Sequence, residues 1–399
     1  MHPTITYMLV KSLREISIMF IAVTYAPFLK HIGLNNAQIT VINWVFAVLM
    51  LLAQVPTGIF ADRFGRALSI KIGVAILVIG QFVYAYACGF WSALLIEGFV
   101  GVGLAFVCGA DEAWLASSLN ACGDGKKLEN SFASSEAFTG VGRCAAGLAG
   151  GVLGTYDLAW PWIASGFVAV IAFVCSLVFM HEPKRGDSAI HANALCNREL
   201  VSLSWQQMKS THALKWMVVM VCVTGLAIPF FHYWPLVFRD HVSGLNLAYL
   251  WVPFYLPHVA GSLVMRARSK QLANGWGIVC LAATPVLIGT AMLGMGLSHN
   301  LAWLMAGAMV LEFVVGFHRP LVSAFVQRRV AEEYRATYGS LQALITGGWT
   351  TVVMIGVATA MALRPDTTAS ILGLWWQIGI LMAASSILLA VFRPRAVTS

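Results

Sequence analysis

Gly58-Ile59-Phe60-Ala61-Asp62-Arg63-Phe64-Gly65-Arg66 is the stretch that decides the fold, and we call it the signature segment. A long apolar run precedes it and another follows it. Short cytoplasmic loops collect Lys and Arg, so Arg63 and Arg66 place the link on the cytoplasmic side. Gly58 allows close helix approach, and Gly65 allows a backbone turn that a β-carbon would strain. The segment therefore predicts a cytoplasmic turn between two membrane-spanning helices.

The composition predicts a membrane protein independently of this segment. Of the 399 residues, 59% are hydrophobic and 11% are charged, whereas a soluble domain has about 25% charged residues. Mean hydropathy is +0.78. An apolar stretch of about 20 residues spans a bilayer core, and we count twelve such stretches. The predicted fold class is an all-α membrane protein with twelve transmembrane helices.

The net charge of +8 raises the question of a nucleic-acid partner, and the distribution of the charge answers it. With a cytoplasmic N-terminus and twelve spans, Lys30, Arg239 and Arg364 fall outside, and Arg143 and Arg319 fall within the bilayer. The remaining Lys and Arg residues lie inside, which is the positive-inside pattern. We therefore expect a multi-pass protein of the bacterial inner membrane with both termini cytoplasmic and with no nucleic-acid partner.

The apolar stretches are grouped in two sets of six. They lie at about 11–29, 37–60, 68–88, 91–119, 131–153, 160–180, 213–236, 246–265, 275–296, 301–327, 338–362 and 369–392. The longest polar segment separates the sets. We predict a six-helix bundle at 1–181, a cytoplasmic linker at 182–212 and a second six-helix bundle at 213–399. This layout is typical of transporters built from two related bundles.

Two motifs resemble a known family. The signature segment, preceded by Pro56, resembles the G-x-x-x-D-R-x-G-R motif between helices 2 and 3 of the major facilitator superfamily. Arg335-Ala336-Thr337-Tyr338-Gly339-Ser340 resembles the R-A-T-x-x-S start of helix 11 in the same family. At helices 8 to 9 the motif is degenerate, with Gly261 and basic residues only. The resemblance implies the major facilitator fold and transport by alternating access.

The resemblance also implies a role for the signature segment. It predicts that Gly58, Asp62, Arg63, Gly65 and Arg66 form a conformational latch, in which Asp62 meets the start of helix 11. Arg63 and Arg66 are expected to pair with acids near the end of helix 4. Many relatives carry Asp at the position of Ser117, so Asp111 or Glu112 is expected to substitute. The alternative is a salt bridge in a loop with no role in transport.

Acidic residues inside the predicted helices are candidates for proton coupling. A charge in the hydrocarbon core costs at least about 2.5 kcal/mol and indicates function by default. The proton-coupling candidates are Glu97, Asp111, Glu112 and Glu312. In drug/proton antiporters an Arg precedes a Gly-x-Gly on helix 4 by four residues, and Glu97 has that place here. Burial favours the neutral form of a carboxyl group, so Glu97 is a candidate proton carrier. The alternative is an acid that reaches water.

Other charged and aromatic residues are candidates for lining a substrate cavity. They are Arg14, Glu15, Arg143, Arg319, His232, Tyr233, Trp234 and Tyr255. Arg143 and Arg319 come from opposite halves, and either contact an anionic group or are neutralised by acids. The aromatic residues form either an interfacial belt or a vestibule. The glycine-rich run 146–151 after Arg143 resembles an antiporter motif, or lets helices pack closely.

The predicted function is secondary active transport of a small organic molecule, with proton-coupled export as the first hypothesis. One rival is an importer or exchanger of an organic anion, and another is a non-transporting membrane sensor or scaffold. No phosphate-binding loop, catalytic motif or Cys/His metal cluster occurs in the sequence, so we expect no enzyme activity, no cofactor and no bound metal. The expected partners are the solute, protons and lipid, and the carrier is expected to work as a monomer.

Overall fold

The computed structural model describes residues 1–108, 110–124, 128–182, 212–242, 245–268, 276–329 and 335–392. Within these ranges the chain forms fifteen α-helices, and no residue in them lies in a β-strand. The helices are α1 Pro3–Met19, α2 Tyr25–His31, α3 Asn36–Phe64, α4 Arg66–Tyr84, α5 Phe90–Val107, α6 Ala110–Ala121, α7 Leu128–Leu153, α8 Trp160–Phe179, α9 His212–Gly225, α10 Ile228–Arg239, α11 Leu245–Ala267, α12 Gly277–Gly296, α13 Leu301–Arg329, α14 Arg335–Ala362 and α15 Thr368–Val391.

The helices have the length and apolar character that a membrane requires. Ten helical stretches of the described chain are long and apolar enough to cross a bilayer. Helices α1, α2 and α7 do not belong to these ten. In α7 the reason is composition, because serines, glycines, one threonine and three charged residues interrupt its apolar sequence. The prediction of an all-helical membrane fold is confirmed.

Three predicted helices are interrupted instead of continuous. The first is broken between Met19 and Tyr25, where backbone hydrogen bonds shift to the tighter i to i−3 spacing. Pro27 lacks the N–H that would continue the bonding across this break. Predicted helix 4 is divided into α5 and α6, and predicted helix 7 into α9 and α10. The sequence does not reveal these breaks, because the residues on the two sides of each break are equally apolar.

The predicted turn of the signature segment is shorter than expected. Residues 58–64 continue α3, and Gly65 alone separates α3 from α4. Gly65 has φ +111°, a conformation that L side chains rarely adopt. One glycine therefore forms the whole link between the two helices, and Asp62 and Arg63 belong to the last turn of α3.

The described chain forms two compact units. The first contains α1–α8 and the beginning of α11 through Val252, and the second contains α9, α10, the rest of α11 and α12–α15. In the first unit Tyr84 stacks on Trp162, with ring centroids 3.9 Å apart. In the second, Trp234 stacks on Phe254 at 4.4 Å. The predicted linker at 182–212 lies outside the described residues except for its two ends, so the predicted domain boundaries stay a prediction.

Candidate functional site

The signature segment is exposed at the surface of the first unit. The Asp62 side chain is 76% exposed, and Arg63 is exposed with its guanidinium 5.5 Å from the ring centroid of Phe64. Nothing in the described structure lies within 4 Å of a β-carbon placed at Gly58. The close helix approach expected at Gly58 therefore stays a prediction, whereas the expected turn at Gly65 is present.

Arg66 is anchored to α6, but through other atoms than expected. Its guanidinium donates to the carbonyl of Ala113 at 2.9 Å and to the hydroxyl of Ser117. Asp62, one turn earlier, is 4.0 Å away. The expectation that Asp111 or Glu112 replaces the missing acid is wrong, because Ser117 itself accepts the hydrogen bond. No acid of α6 forms an ion pair with Arg63 or Arg66 in the described structure.

A chain of ion pairs joins α1, α6 and α7 within the first unit. Arg14 contacts Asp111 at 3.1 Å and the neighbouring Glu15 at 2.9 Å. Glu15 also contacts Arg143 at 3.0 Å. The Arg14 and Asp111 side chains are only 8% and 12% exposed. Arg143 is therefore neutralised by an acid, which was one of the two alternatives for this residue.

Two further residues extend this chain of ion pairs toward the surface. Glu136 lies 3.7 Å from Arg143 and 2.5 Å from Lys11. The network thus holds three basic residues and three acidic ones, and its formal charge is zero. Lys11 precedes Arg14 by three residues and Glu136 precedes Arg143 by seven, so helical spacing alone places each on the same face as its neighbour. The sequence therefore contained a signal for both.

Glu112 takes no part in these described ion pairs. It is exposed, whereas the adjacent Asp111 is buried. Consecutive helix residues point about 100° apart, and the backbone N–H of Glu112 donates to Asp111 at 2.9 Å. Of these two proton-coupling candidates, only Asp111 lies in the interior.

Glu97 occupies a different part of the first unit. It is partly buried on α5 and faces the hydroxyl groups of Tyr25 and Tyr84. Both hydroxyl oxygens are buried, and neither makes a hydrogen bond of standard geometry with a described residue. Tyr84 is 1% exposed and stacks on Trp162. No described basic residue forms an ion pair with Glu97, so its charge is not compensated there.

The second unit holds a separate acid–histidine pair. Glu312 on α13 is 5% exposed, and its carboxylate lies 3.0 Å from Nδ1 of His258 on α11. The His258 ring stacks on Tyr255 at a centroid distance of 5.5 Å. His258 is therefore the partner of the proton-coupling candidate Glu312, although it was not among the predicted site residues.

Arg319, seven residues after Glu312, is exposed and forms no ion pair with the described residues.

The aromatic candidates are packed inside the second unit. Tyr233 is fully buried, Trp234 is 3% exposed and Tyr255 is 7% exposed. An interfacial belt would expose these rings, so the belt interpretation does not fit them in this structure. His232 is partly buried, and its Nδ1 is enclosed without a described hydrogen-bond partner. These side chains contribute to packing and leave no open aromatic surface at Tyr233 or Trp234.

The glycine-rich run of α7 allows close backbone contacts. A β-carbon at Gly150 would lie 1.7 Å from the carbonyl oxygen of Phe20, in the break after α1. At Gly147 it would lie 2.2 Å from the indole nitrogen of Trp251, which donates to the carbonyl of Cys144. Neither position has room for a larger residue without movement of a neighbour. The close-packing interpretation of the run agrees with these contacts.

Metal-binding groups are not assembled in the described residues. Among these residues no three His, Cys, Asp or Glu side chains come together as metal ligands. The polar groups described above are carboxyl groups, buried hydroxyl groups and ion pairs.

Comparison with known sequences identifies one family. Residues 8–353 match the Major Facilitator Superfamily. The chain is 24% identical over 162 residues to the quinolone resistance protein NorA of Staphylococcus aureus, covering 41% of each protein. It is 23% identical over 164 residues to the uncharacterized MFS-type transporter MJ1560 of Methanocaldococcus jannaschii, covering 41% of this chain and 42% of that protein. The matched region thus spans about two fifths of the length of these relatives.

Solved structures extend the similarity to nearly the whole chain. The nucleoside transporter NupG aligns with a TM-score of 0.77 and 12% identity, over 98% of this chain and 99% of that one. A bacterial homolog of the human lysosomal transporter Spinster aligns with a TM-score of 0.68 and 14% identity, over 98% and 95% of the two chains. At such identities the likeness shows a shared fold.

Proposed function

The chain belongs to the Major Facilitator Superfamily, and from that premise we propose that it exports a small organic molecule in exchange for protons. Its likeness to NorA, a relative named for quinolone resistance, supports outward transport of a drug-like molecule or a secreted metabolite. We place the carrier in a bacterial inner membrane with both termini in the cytoplasm. It works by alternating access, and a monomer is sufficient for this cycle.

The observation that supports proton coupling is the environment of Glu97. A carboxylate inside a membrane protein normally pairs with a basic group or faces water. Glu97 is partly buried, pairs with no basic group among the described residues, and faces two phenol hydroxyl groups whose oxygens are buried. A carboxyl group without a cationic partner is stabilised in its neutral form by burial. Proton uptake is the simplest way for Glu97 to lose its charge.

The two tyrosines suit either protonation state of Glu97. An ionised carboxylate at this place could accept hydrogen bonds from the hydroxyl groups of Tyr25 and Tyr84 after a small adjustment of their geometry. A protonated carboxyl group donates to one tyrosine oxygen and still accepts from the other. Because a hydroxyl hydrogen rotates freely, the site can change its protonation state without rearrangement of the helices. Such a group can bind a proton on one side of the membrane and release it on the other.

The Glu312–His258 pair is the second candidate for proton handling. The Glu312 carboxylate and Nδ1 of His258 are 3.0 Å apart. Glu312 is 5% exposed, so its carboxylate depends on this contact with His258. A change at either residue therefore changes how the other is held. We assign the pair a role in coupling or in substrate contact.

The ion pairs of Arg143 favour a neutral or cationic solute over the organic-anion alternative. Arg143 contacts two carboxylates, and an anionic ligand would have to displace one of them. Arg319 remains available for the anion hypothesis because it is exposed.

We propose that the signature segment, with Asp62 exposed at its centre, acts as the conformational latch of the transport cycle.

Flux measurements in membrane vesicles test this proposal. A quinolone, a nucleoside and an anionic organic acid are supplied as labelled solutes, with and without an imposed pH gradient. Proton-coupled export predicts that a solute accumulates only when protons can flow down their gradient in the direction opposite to the solute. An anion exchanger would accumulate the acid without a pH gradient, through exchange for internal anion. A scaffold would move none of the three.

A further inference from the structure

The N-terminus of α4 is capped by a residue from a distant part of the chain. Glu182 follows α8, and its carboxylate accepts the backbone N–H groups of Arg66 at 3.1 Å and Ala67 at 2.8 Å. The first N–H groups of a helix have no partner within the helix, and a side chain at the N-cap usually binds them. The N-cap here is Gly65, which has no side chain. Glu182, 116 residues after Arg66, supplies the missing cap.

Gly65 and Glu182 are matched to each other. A β-carbon at Gly65 would lie 3.0 Å from Oε2 of Glu182 and 3.1 Å from the carboxyl carbon. A side chain at this position would therefore crowd the carboxylate, in addition to straining a backbone at φ +111°. The second glycine of the signature segment thus has two functions: it forms the turn, and it admits the carboxylate of Glu182.

The same turn is held from a second direction. The guanidinium of Arg66 donates to the Ala113 carbonyl and the Ser117 hydroxyl on α6. The backbone N–H of Arg66 donates to Glu182. Arg66 is therefore fixed by its main chain and by its side chain to two different elements. Glu182 lies shortly after the end of α8 at Phe179, in the segment that joins α8 to α9.

We propose that Glu182 is a positioning residue for the signature segment. Its carboxylate fixes the start of α4, and through Gly65 and Arg66 it sets the orientation of the last turn of α3, which carries Asp62. The negative charge is suited to this place because a helix N-terminus attracts anions. The inference rests on the proposed role of the signature segment in the transport cycle. It assigns to Glu182 the task of holding that segment in its working geometry.

The direct test is hydrogen–deuterium exchange on the purified full-length protein. Glu182→Gln keeps the size of the side chain, but turns one acceptor oxygen into an N–H₂ group that repels a backbone N–H. The matched control is Asp157→Asn, because Asp157 accepts the Ala159 N–H at 2.8 Å near the start of α8, remote in sequence from the signature segment. We expect faster exchange at the start of α4 in Glu182→Gln and unchanged exchange there in Asp157→Asn. Unchanged exchange in Glu182→Gln would overturn the proposal.

Transport by the same variants separates positioning from mere stabilisation. With a quinolone as the probe, we expect Glu182→Gln to keep KM and to lower the maximal rate by about 5–30-fold, the ratio that corresponds to the loss of one helix cap. Asp157→Asn should keep both values. Equal losses of thermal stability and rate in the two variants would overturn a positioning role. Absence of flux in the wild type would count against the proposed function, whereas the exchange result would still test the cap.

A pair of substitutions tests the match between Gly65 and Glu182. If Gly65→Ala acts partly by displacing the carboxylate, its effect on exchange at α4 should not add to the effect of Glu182→Ala. We expect the double variant to resemble the more affected single variant. Fully additive effects would show that the two residues act independently, which would contradict the proposal.

Discussion

Neutralising Glu15 is the sharpest test of the ion-pair network, because this carboxylate bridges two arginines. In Glu15→Gln, Arg14 keeps Asp111 at 3.1 Å and Arg143 keeps Glu136 at 3.7 Å. The network changes from a formal charge of zero to one net positive charge. Removal of one partner from a fully buried pair costs about 3–5 kcal/mol. Because each arginine keeps one partner, we expect a loss of about 2 kcal/mol of unfolding free energy, below that range.

Reversible unfolding in mixed detergent micelles measures this loss. The matched control is Glu136→Gln, since Glu136 belongs to the same network but its side chain is 52% exposed. An exposed pair contributes less than about 1 kcal/mol, so the control should change stability little. The double variant Glu15→Gln/Arg143→Gln restores a neutral network and should recover about 1 kcal/mol. Equal effects of Glu15→Gln and Glu136→Gln, or no recovery in the double variant, would refute the electrostatic reasoning.

Three further results are expected. Asp62→Asn should keep expression and stability, because the side chain is exposed, and should strongly reduce transport of a quinolone in vesicles; full activity would defeat the latch. Gly150→Ala should destabilise the protein by about 1–3 kcal/mol or more, since its β-carbon would meet the Phe20 carbonyl at 1.7 Å, and unfolding in detergent would show this; wild-type stability would disprove the close contact. Arg319→Gln should weaken binding of an anionic organic acid more than Arg143→Gln does, because Arg143 is already neutralised, and competition against a labelled solute would measure it; the reverse order would favour Arg143 as the anion contact.

The all-helical membrane fold could be predicted because the hydropathy and the length of each apolar stretch can be read from the order of its residues. The predicted helix at 37–60 corresponds to α3 at Asn36–Phe64, and the one at 369–392 to α15 at Thr368–Val391. The break after Met19 was not predicted, because it depends on hydrogen bonding and on contact with α7. A proline near the outer end was visible, but its effect on the helix was not.

The partners of the charged residues were harder to predict than their positions. Arg14 and Asp111 are 97 residues apart, and their pairing depends on how α1 and α6 are rotated about their axes. A single sequence contains the periodicity of each helix but not the angle between two helices. The partner of Arg66 was mispredicted for the same reason. A carboxylate was expected at its guanidinium, but the Ser117 hydroxyl and the Ala113 carbonyl accept its hydrogen bonds.

No role was predicted from the sequence for Glu182, or for Tyr25 and Tyr84 beside Glu97, and the reason is different. Glu182 lies in a polar stretch with mixed charge, where nothing in the sequence separates a capping carboxylate from a solvated one. Tyr25 and Tyr84 have the composition of ordinary core residues, and only their proximity to Glu97 distinguishes them. The contacts of Glu182 with Arg66 and of Tyr25 with Glu97 join segments that are distant along the chain, and the contact of Tyr84 with Glu97 joins two consecutive helices.

The most direct test of proton coupling compares two modes of transport in Glu97→Gln. The purified protein is placed in liposomes with a quinolone as the probe, and both pH-driven flux and counterflow exchange are measured. Gln cannot take up a proton, but exchange omits the return of the empty carrier that deprotonation of Glu97 permits. Tyr86→Phe is the control for loss of a phenol hydroxyl, since Tyr86 is 78% exposed near the end of α4, whereas Tyr84→Phe should impair coupling. The account predicts that Glu97→Gln abolishes pH-driven flux and retains exchange, and full pH-driven flux in this variant would contradict it.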